Sequence, residues 1–105
     1  MTDLQIIYTT CANQEEASKI ARTLVEERLA ACGNIFPGVR SIFRWQGEIQ
    51  EEGEAALIIK TRSGRLDAAI ARIEALHSYD EPGIEVWPVT RVNQIFEKWV
   101  VEQTS

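Results

Sequence analysis

Apolar and β-branched residues run together from Leu4 to Thr9, and beyond them Ala17, Ile20, Ala21, Leu24, Val25 and Leu29 recur at steps of three and four. The first pattern predicts a strand and the second an amphipathic helix. Asn13 stands where that helix needs a cap, with Glu16 three residues on as in a capping box, and Gly33 lies just past its end, where a left-handed residue is often required. Pro37-Gly38 then turns the chain into a β-branched and aromatic run, Val39 to Ile49. The polar segment Gln50-Glu51-Glu52-Gly53 separates it from a second run, Ala55 to Thr61, which predicts a long hairpin with its turn at residues 50–53. After Ser63-Gly64 the helical spacing returns at Leu66, Ala69, Ile70, Ile73 and Leu76. A last strand, Ile84 to Val89, follows the Pro82-Gly83 turn, and Val92, Ile95, Phe96, Trp99 and Val100 mark a terminal amphipathic helix.

Strand, helix, strand, strand, helix, strand is the order of the ferredoxin-like split βαβ unit. The expected class is therefore α+β: a ferredoxin-like sandwich, single-domain over residues 1–105, with a long hairpin between the second and third strands and a C-terminal helix. A sheet covered on one face alternates apolar and polar residues, yet Ala55-Ala56-Leu57-Ile58-Ile59 is apolar throughout. Something must cover the second face. In the hairpin Phe43 and Trp45 point one way, Ile42 and Arg44 the other. Self-association and coverage by the C-terminal helix alone are the two solutions, and one short helix rarely hides a whole sheet.

At 105 residues and 45% hydrophobic content the chain suits one domain. Sixteen acidic against eleven basic side chains leave a net charge of −5, so the basic footprint of a nucleic-acid binder is absent from the chain as a whole. No stretch reaches the roughly 18 consecutive apolar residues of a membrane span, and Met-Thr-Asp-Leu-Gln lacks the regions of a signal peptide. The expectation is a soluble, cytoplasmic protein. Cys11 and Cys32 are too few for a disulfide framework and lack the paired spacing of a structural zinc site, so reduced thiols are expected. Phosphate-cradling, HExxH, G-x-S-x-G and EF-hand patterns are all missing from the sequence.

Leu29-Ala30-Ala31-Cys32, Ser41-Ile42-Phe43-Arg44-Trp45 with Gly47, Ile59-Lys60-Thr61 and His77-Ser78-Tyr79-Asp80-Glu81-Pro82 follow one another in fixed order. Together they resemble the signature of the CutA family, small proteins named for divalent-cation tolerance, from the first strand to Trp99. That resemblance implies the ferredoxin-like fold, a tight homotrimer built around the sheets, and a role in the response to metal ions through binding of copper or a similar divalent ion. Three departures stand out. Thr9 lies where the first strand of many bacterial members ends in cysteine, Gly83 where glutamate usually follows the proline, and Ser78 where the pattern is usually His-Pro-Tyr.

His77 is the only histidine. Its imidazole suits copper or zinc; a histidine in a helix's last turn equally serves to bond free carbonyls and meet the helix dipole. Cys11, before the helix cap, is a candidate soft ligand. Glu85, or Glu81, is the candidate carboxylate in place of Gly83, with Tyr79 close by in sequence. Cys32, at the alanine-rich end of the predicted helix, reads as a small packed residue. A second constellation is Trp45, Lys60, Tyr79 and Arg44. With Trp45 placed opposite Lys60 across the hairpin, these residues are expected to line a cleft between subunits that holds a small anion or a partner protein, or else to pair with Glu48, Glu51 or Glu52 of a neighbouring chain. Two functions follow: a trimeric metal-binding tolerance protein, or a trimeric ligand-sensing or scaffold module resembling the PII signalling proteins, without specific metal binding. No nucleophile is assembled in sequence, so catalysis is not expected.

Overall fold

The computed structural model describes residues 2–105. Strand β1 (Leu4–Cys11) leads into helix α1 (Gln14–Glu26), and the long strands β2 (Cys32–Trp45) and β3 (Glu48–Arg62) follow as a hairpin. A short 3-10 turn over Ser63–Arg65 opens helix α2 (Leu66–Leu76), before strand β4 (Ile84–Pro88) and helix α3 (Gln94–Gln103). The four strands form one antiparallel sheet in the order β2-β3-β1-β4. This is the expected split βαβ arrangement: β3 inserts between β1 and β2, the two strands that α1 connects.

Strand alternation divides the sheet into two faces. Ile7, Thr9 and Cys11 of β1 stand beside Ile59, Leu57 and Ala55 of β3. This inner face packs on Ala17, Ile20, Ala21 and Leu24 of α1 and on Ala69 and Ile73 of α2, which together make the main core. Leu4 and Tyr8 of β1 belong to the outer face. Helix α3 covers only one end of it, where Val100 and Phe96 pack with Leu4, Ala31, Val89 and Val92. The end of α3 is tied to β3 through Thr104, which accepts from Arg62 Nε at 2.9 Å and whose carbonyl accepts from Arg65 Nε at 2.7 Å. Elsewhere the outer face carries Tyr8 stacked on Trp87, with ring centroids 5.0 Å apart and Trp87 41% exposed.

Two local expectations are corrected. The hairpin turns at Gln46-Gly47, not at residues 50–53, so the acidic run Glu48–Glu52 is strand. Both turn residues have positive φ, 49° and 83°, as a two-residue hairpin loop matched to the right-handed strand twist demands. The acidic run misled because polarity marks solvent exposure, and both faces of this arm are exposed. Helix α1 ends at Glu26, and the chain reverses through Arg28 at φ 59°. Gly33 is thus a strand residue of β2 rather than a helix cap. A Cβ there would lie 2.9 Å from Ala21 Cβ and 3.0 Å from Ile59 Cδ1, so the glycine lets α1 seat closely on the sheet.

Beyond Ala55 the hairpin becomes a two-stranded arm, set off by a one-residue bulge at Pro37-Gly38 in edge strand β2. Its side chains include Ile42 and Ile49, each 68% exposed, and Trp45, 54% exposed.

Gly33→Ala is expected to destabilise the protein by about 1–3 kcal/mol, the usual cost of overpacking a tight contact. A lowered urea midpoint with unchanged slope is the expected reading; a midpoint equal to wild type would show that α1 retreats from the sheet freely.

Candidate metal centre

Cys11 closes β1 on its inner face and is fully buried. Two residues later Asn13 caps α1, its Oδ1 accepting from the Glu16 N–H at 2.8 Å. Glu16 occupies the position whose side chain can reach back over the helix start, and it does so. Its Oε1 accepts from the Ala12 N–H at 2.9 Å and its Oε2 from the Ser78 N–H at 2.8 Å. The third side chain arrives from the far end of α2, where His77 leaves the helix with extended backbone and turns inward to 9% exposure. Its Nε2 lies 2.9 Å from the Thr10 carbonyl and its Nδ1 accepts from the Tyr79 N–H at 3.2 Å. These two partners assign the proton to Nε2.

The ligand atoms of Cys11, Glu16 and His77 all lie within 4.8 Å of one another. A thiol, a carboxylate and an imidazole in that space form a donor set suited to copper or zinc. Tyr79 flanks the histidine with ring centroids 4.7 Å apart and donates its hydroxyl to Glu54 Oε2 at 2.6 Å. A depression of about 350 Å³, lined by residues that include Ala12, Asn13, Arg40 and Glu54, adjoins the cluster.

Burial pushes the Cys11 thiol up to about 12, with the charges of Glu16 and Glu54 adding to it. Burial also opposes ionisation of Glu16, but hydrogen bonds from Ser78 and Ala12, with the influence of His77, outweigh it and hold the carboxyl below its ordinary value. Glu54 is lowered in the same way, burial being overcome by the neighbouring hydroxyls of Ser41, Tyr79 and Thr10, of which Tyr79 donates to it directly. Tyr79 is raised by burial, then by its bond to Glu54 and the surrounding carboxylates. At neutral pH the cluster therefore holds a thiol beside a carboxylate, and uptake of an ion on sulfur must release a proton.

Of the residues singled out in the sequence, the structure brings His77 and Cys11 together and leaves Glu85 apart. Glu85 is exposed on β4 and pairs with Tyr8, which turns it to the outer face, across the sheet from Cys11. Glu16 stands in its place. The signal for Glu16 was present in the capping box, since a side chain that reaches back over a helix start also reaches the residues before it. Thr9 and Gly83, two of the departures from the family pattern, meet each other: the buried Thr9 hydroxyl donates to the Gly83 carbonyl at 2.7 Å.

The Trp45–Lys60 pairing does not form. Trp45 pairs with Glu48 at the hairpin tip and Lys60 with Cys32 at the other end of β3, about 40 Å apart at the usual rise per strand residue. Lys60 Nζ instead sits 5.6 Å from the centre of the Phe96 ring, Arg44 donates to the Gly47 carbonyl at 3.4 Å, and Tyr79 belongs to the His77 network.

The chain matches the family described as CutA1 divalent ion tolerance protein over residues 5–103. It is 42% identical over 101 residues to the divalent-cation tolerance protein CutA of Thermus thermophilus, a match covering 96% of this chain and 98% of that protein. It is 37% identical over 99 residues to the chloroplastic protein CutA of Arabidopsis thaliana, covering 94% of this chain but only 54% of that longer protein. A crystal structure of CutA from Xylella fastidiosa superposes with a TM-score of 0.97 at 38% identity, covering 99% of this chain and all of that one.

An unfolded Cys11 ionises near 9.0, whereas the folded chain holds its proton to about 12. The folded state therefore keeps a proton that the unfolded state loses, and the stability this contributes is complete below pH 9 and lost as the pH rises toward 12. The denaturation midpoint is expected to fall more steeply from about pH 9 upward in the wild type than in Cys11→Ala. Parallel pH profiles for the two proteins would contradict this.

Proposed function

Since the chain belongs to the CutA1 divalent ion tolerance family, we propose a role in divalent-cation tolerance, carried by a homotrimer that binds copper or a similar divalent ion through Cys11, Glu16 and His77. The observation that carries the reading is the convergence of three different donors within 4.8 Å, drawn from β1, α1 and the end of α2. The ion is cargo, held by sulfur, nitrogen and oxygen, a combination that favours soft and borderline ions over hard ones. On this reading the protein acts by binding, and the buried Cys11, held protonated, is not a resting thiolate nucleophile. Among the described residues no helix is long and apolar enough to cross a membrane. The two free cysteines suit a reducing compartment such as the cytoplasm.

The trimer is supported by what the single chain leaves uncovered. Trp87 on the outer sheet face, and Ile42, Phe43, Trp45 and Ile49 on the hairpin arm, are large apolar side chains that a single chain leaves exposed. Further copies of the chain, each with the same arm, are the economical cover.

Calorimetric titration of the reduced, metal-free protein with Zn²⁺ and Cu²⁺ tests the site. One ion per chain is expected, weakened more than about a hundredfold by Cys11→Ala or His77→Ala, beyond what changes outside the ligand sphere usually cause. Glu85→Ala should leave affinity unchanged. Binding indifferent to Cys11 and His77 would reduce the metal reading to acidic surface attraction. In sedimentation the protein should run at about three times its 11.9 kDa chain mass, and a stable monomer at micromolar concentration would remove the trimer.

A further inference from the structure

Glu16 is the only member of the donor cluster on a long, flexible side chain, and it starts from an exposed helical turn. Left free, it would spread over many rotamers and spend little time beside Cys11. The structure restrains both of its oxygens. The Ala12 N–H holds Oε1 at 2.9 Å and the Ser78 N–H holds Oε2 at 2.8 Å. Ala12 immediately follows Cys11 and Ser78 immediately follows His77. Each donor to the carboxylate is thus the chain neighbour of another ligand.

Resting on the metal reading above, we propose that Ser78 is a positioning residue for the centre: its N–H locks the Glu16 carboxylate in register with His77. Because the Ser78 N–H belongs to the peptide unit that joins it to His77, a backbone shift that displaces His77 carries the carboxylate's anchor with it. Ala12 does the same for Cys11. A carboxylate oxygen has more than one lone pair, so it can keep its amide donor and still face an ion. Hydrogen bonds from outside a ligand set that orient its members typically govern metal affinity by about 10- to 100-fold.

Proline and threonine at position 78 separate this role from simple packing. Proline removes the N–H that holds Glu16, and the residue before it, His77, already has the extended backbone (φ −71°, ψ 140°) that a following proline prefers. Threonine keeps the N–H. Titration with Co²⁺, followed by its visible absorption, should show Ser78→Pro weakened about 10- to 100-fold. Its sulfur-to-cobalt charge-transfer band should be retained and its ligand-field bands shifted. Ser78→Thr should bind within about threefold of wild type. If Cys11→Ala abolishes binding while Ser78→Pro binds like wild type, the positioning role is overturned and the metal site stands. If Cys11→Ala binds like wild type, the site itself fails. Should proline unfold the chain, amide hydrogen exchange of the wild type decides. Protection of the Ser78 N–H that persists at saturating Zn²⁺ supports the anchor, and protection lost on Zn²⁺ binding overturns it.

Discussion

Helix α1 can approach the sheet closely only where the sheet offers no side chain, and that place is Gly33. The contact of Ala21 with Gly33 and Ile59 sets the separation between the helix and the strands, and the remaining inner-face residues fill the space it defines. It also decides where the first turn of the helix stands relative to the end of β1. With α1 so seated, Asn13 caps the helix directly after the strand, and Glu16 is brought over Ala12 and next to Cys11. Helix α2 packs beside α1 through Ala69 and Ile73, and its last residue delivers His77 to the same spot. One close packing contact thus governs a site formed at the start of the helix.

The centre is built as a satisfied polar network. Among the described residues no buried side-chain nitrogen or oxygen lacks a hydrogen-bond partner. His77 is engaged at both ring nitrogens, Glu16 at both oxygens, and Tyr79 at Glu54. Such networks stabilise the fold when complete, and each group left unpaired would cost roughly 1–3 kcal/mol. On the proposed metal reading, an incoming ion would compete with internal hydrogen bonds and with the Cys11 proton, which would favour ions that bond strongly to sulfur and nitrogen over those that prefer oxygen.

The outer face obeys a different constraint. Helix α3 is anchored at its end by Thr104 and covers the Leu4 end of the sheet, but it is too short to reach the Tyr8–Trp87 stack or the hairpin arm. The bulge at Pro37-Gly38 marks the place where the β2–β3 ribbon leaves the support of α1 and continues exposed on both sides. Apolar residues on such a ribbon gain nothing within a single chain, which is why association is the natural account of them.

Periodicity along the chain was enough to establish the order of elements, the existence of the long hairpin, the Asn13 cap and the α+β class, because each depends on near neighbours in sequence. His77 and Cys11 were also legible, being the residue types that metal chemistry needs. Glu85 and the Trp45–Lys60 pair were not decidable from the chain, because both turn on strand register. One position in a strand reverses the face, and a hairpin turn moved from residues 50–53 to Gln46-Gly47 changes every cross-strand partner. Gly33 reads in sequence as a helix cap, and only the packing of Ala21 against it reveals its purpose. Glu16 was read as part of a capping box with Asn13, yet its carboxylate reaches past Asn13 to the Ala12 N–H and also completes the cluster. That second role depends on bringing residue 16 beside residue 78, a juxtaposition made by the packing of two helices on one sheet face and encoded in no local pattern.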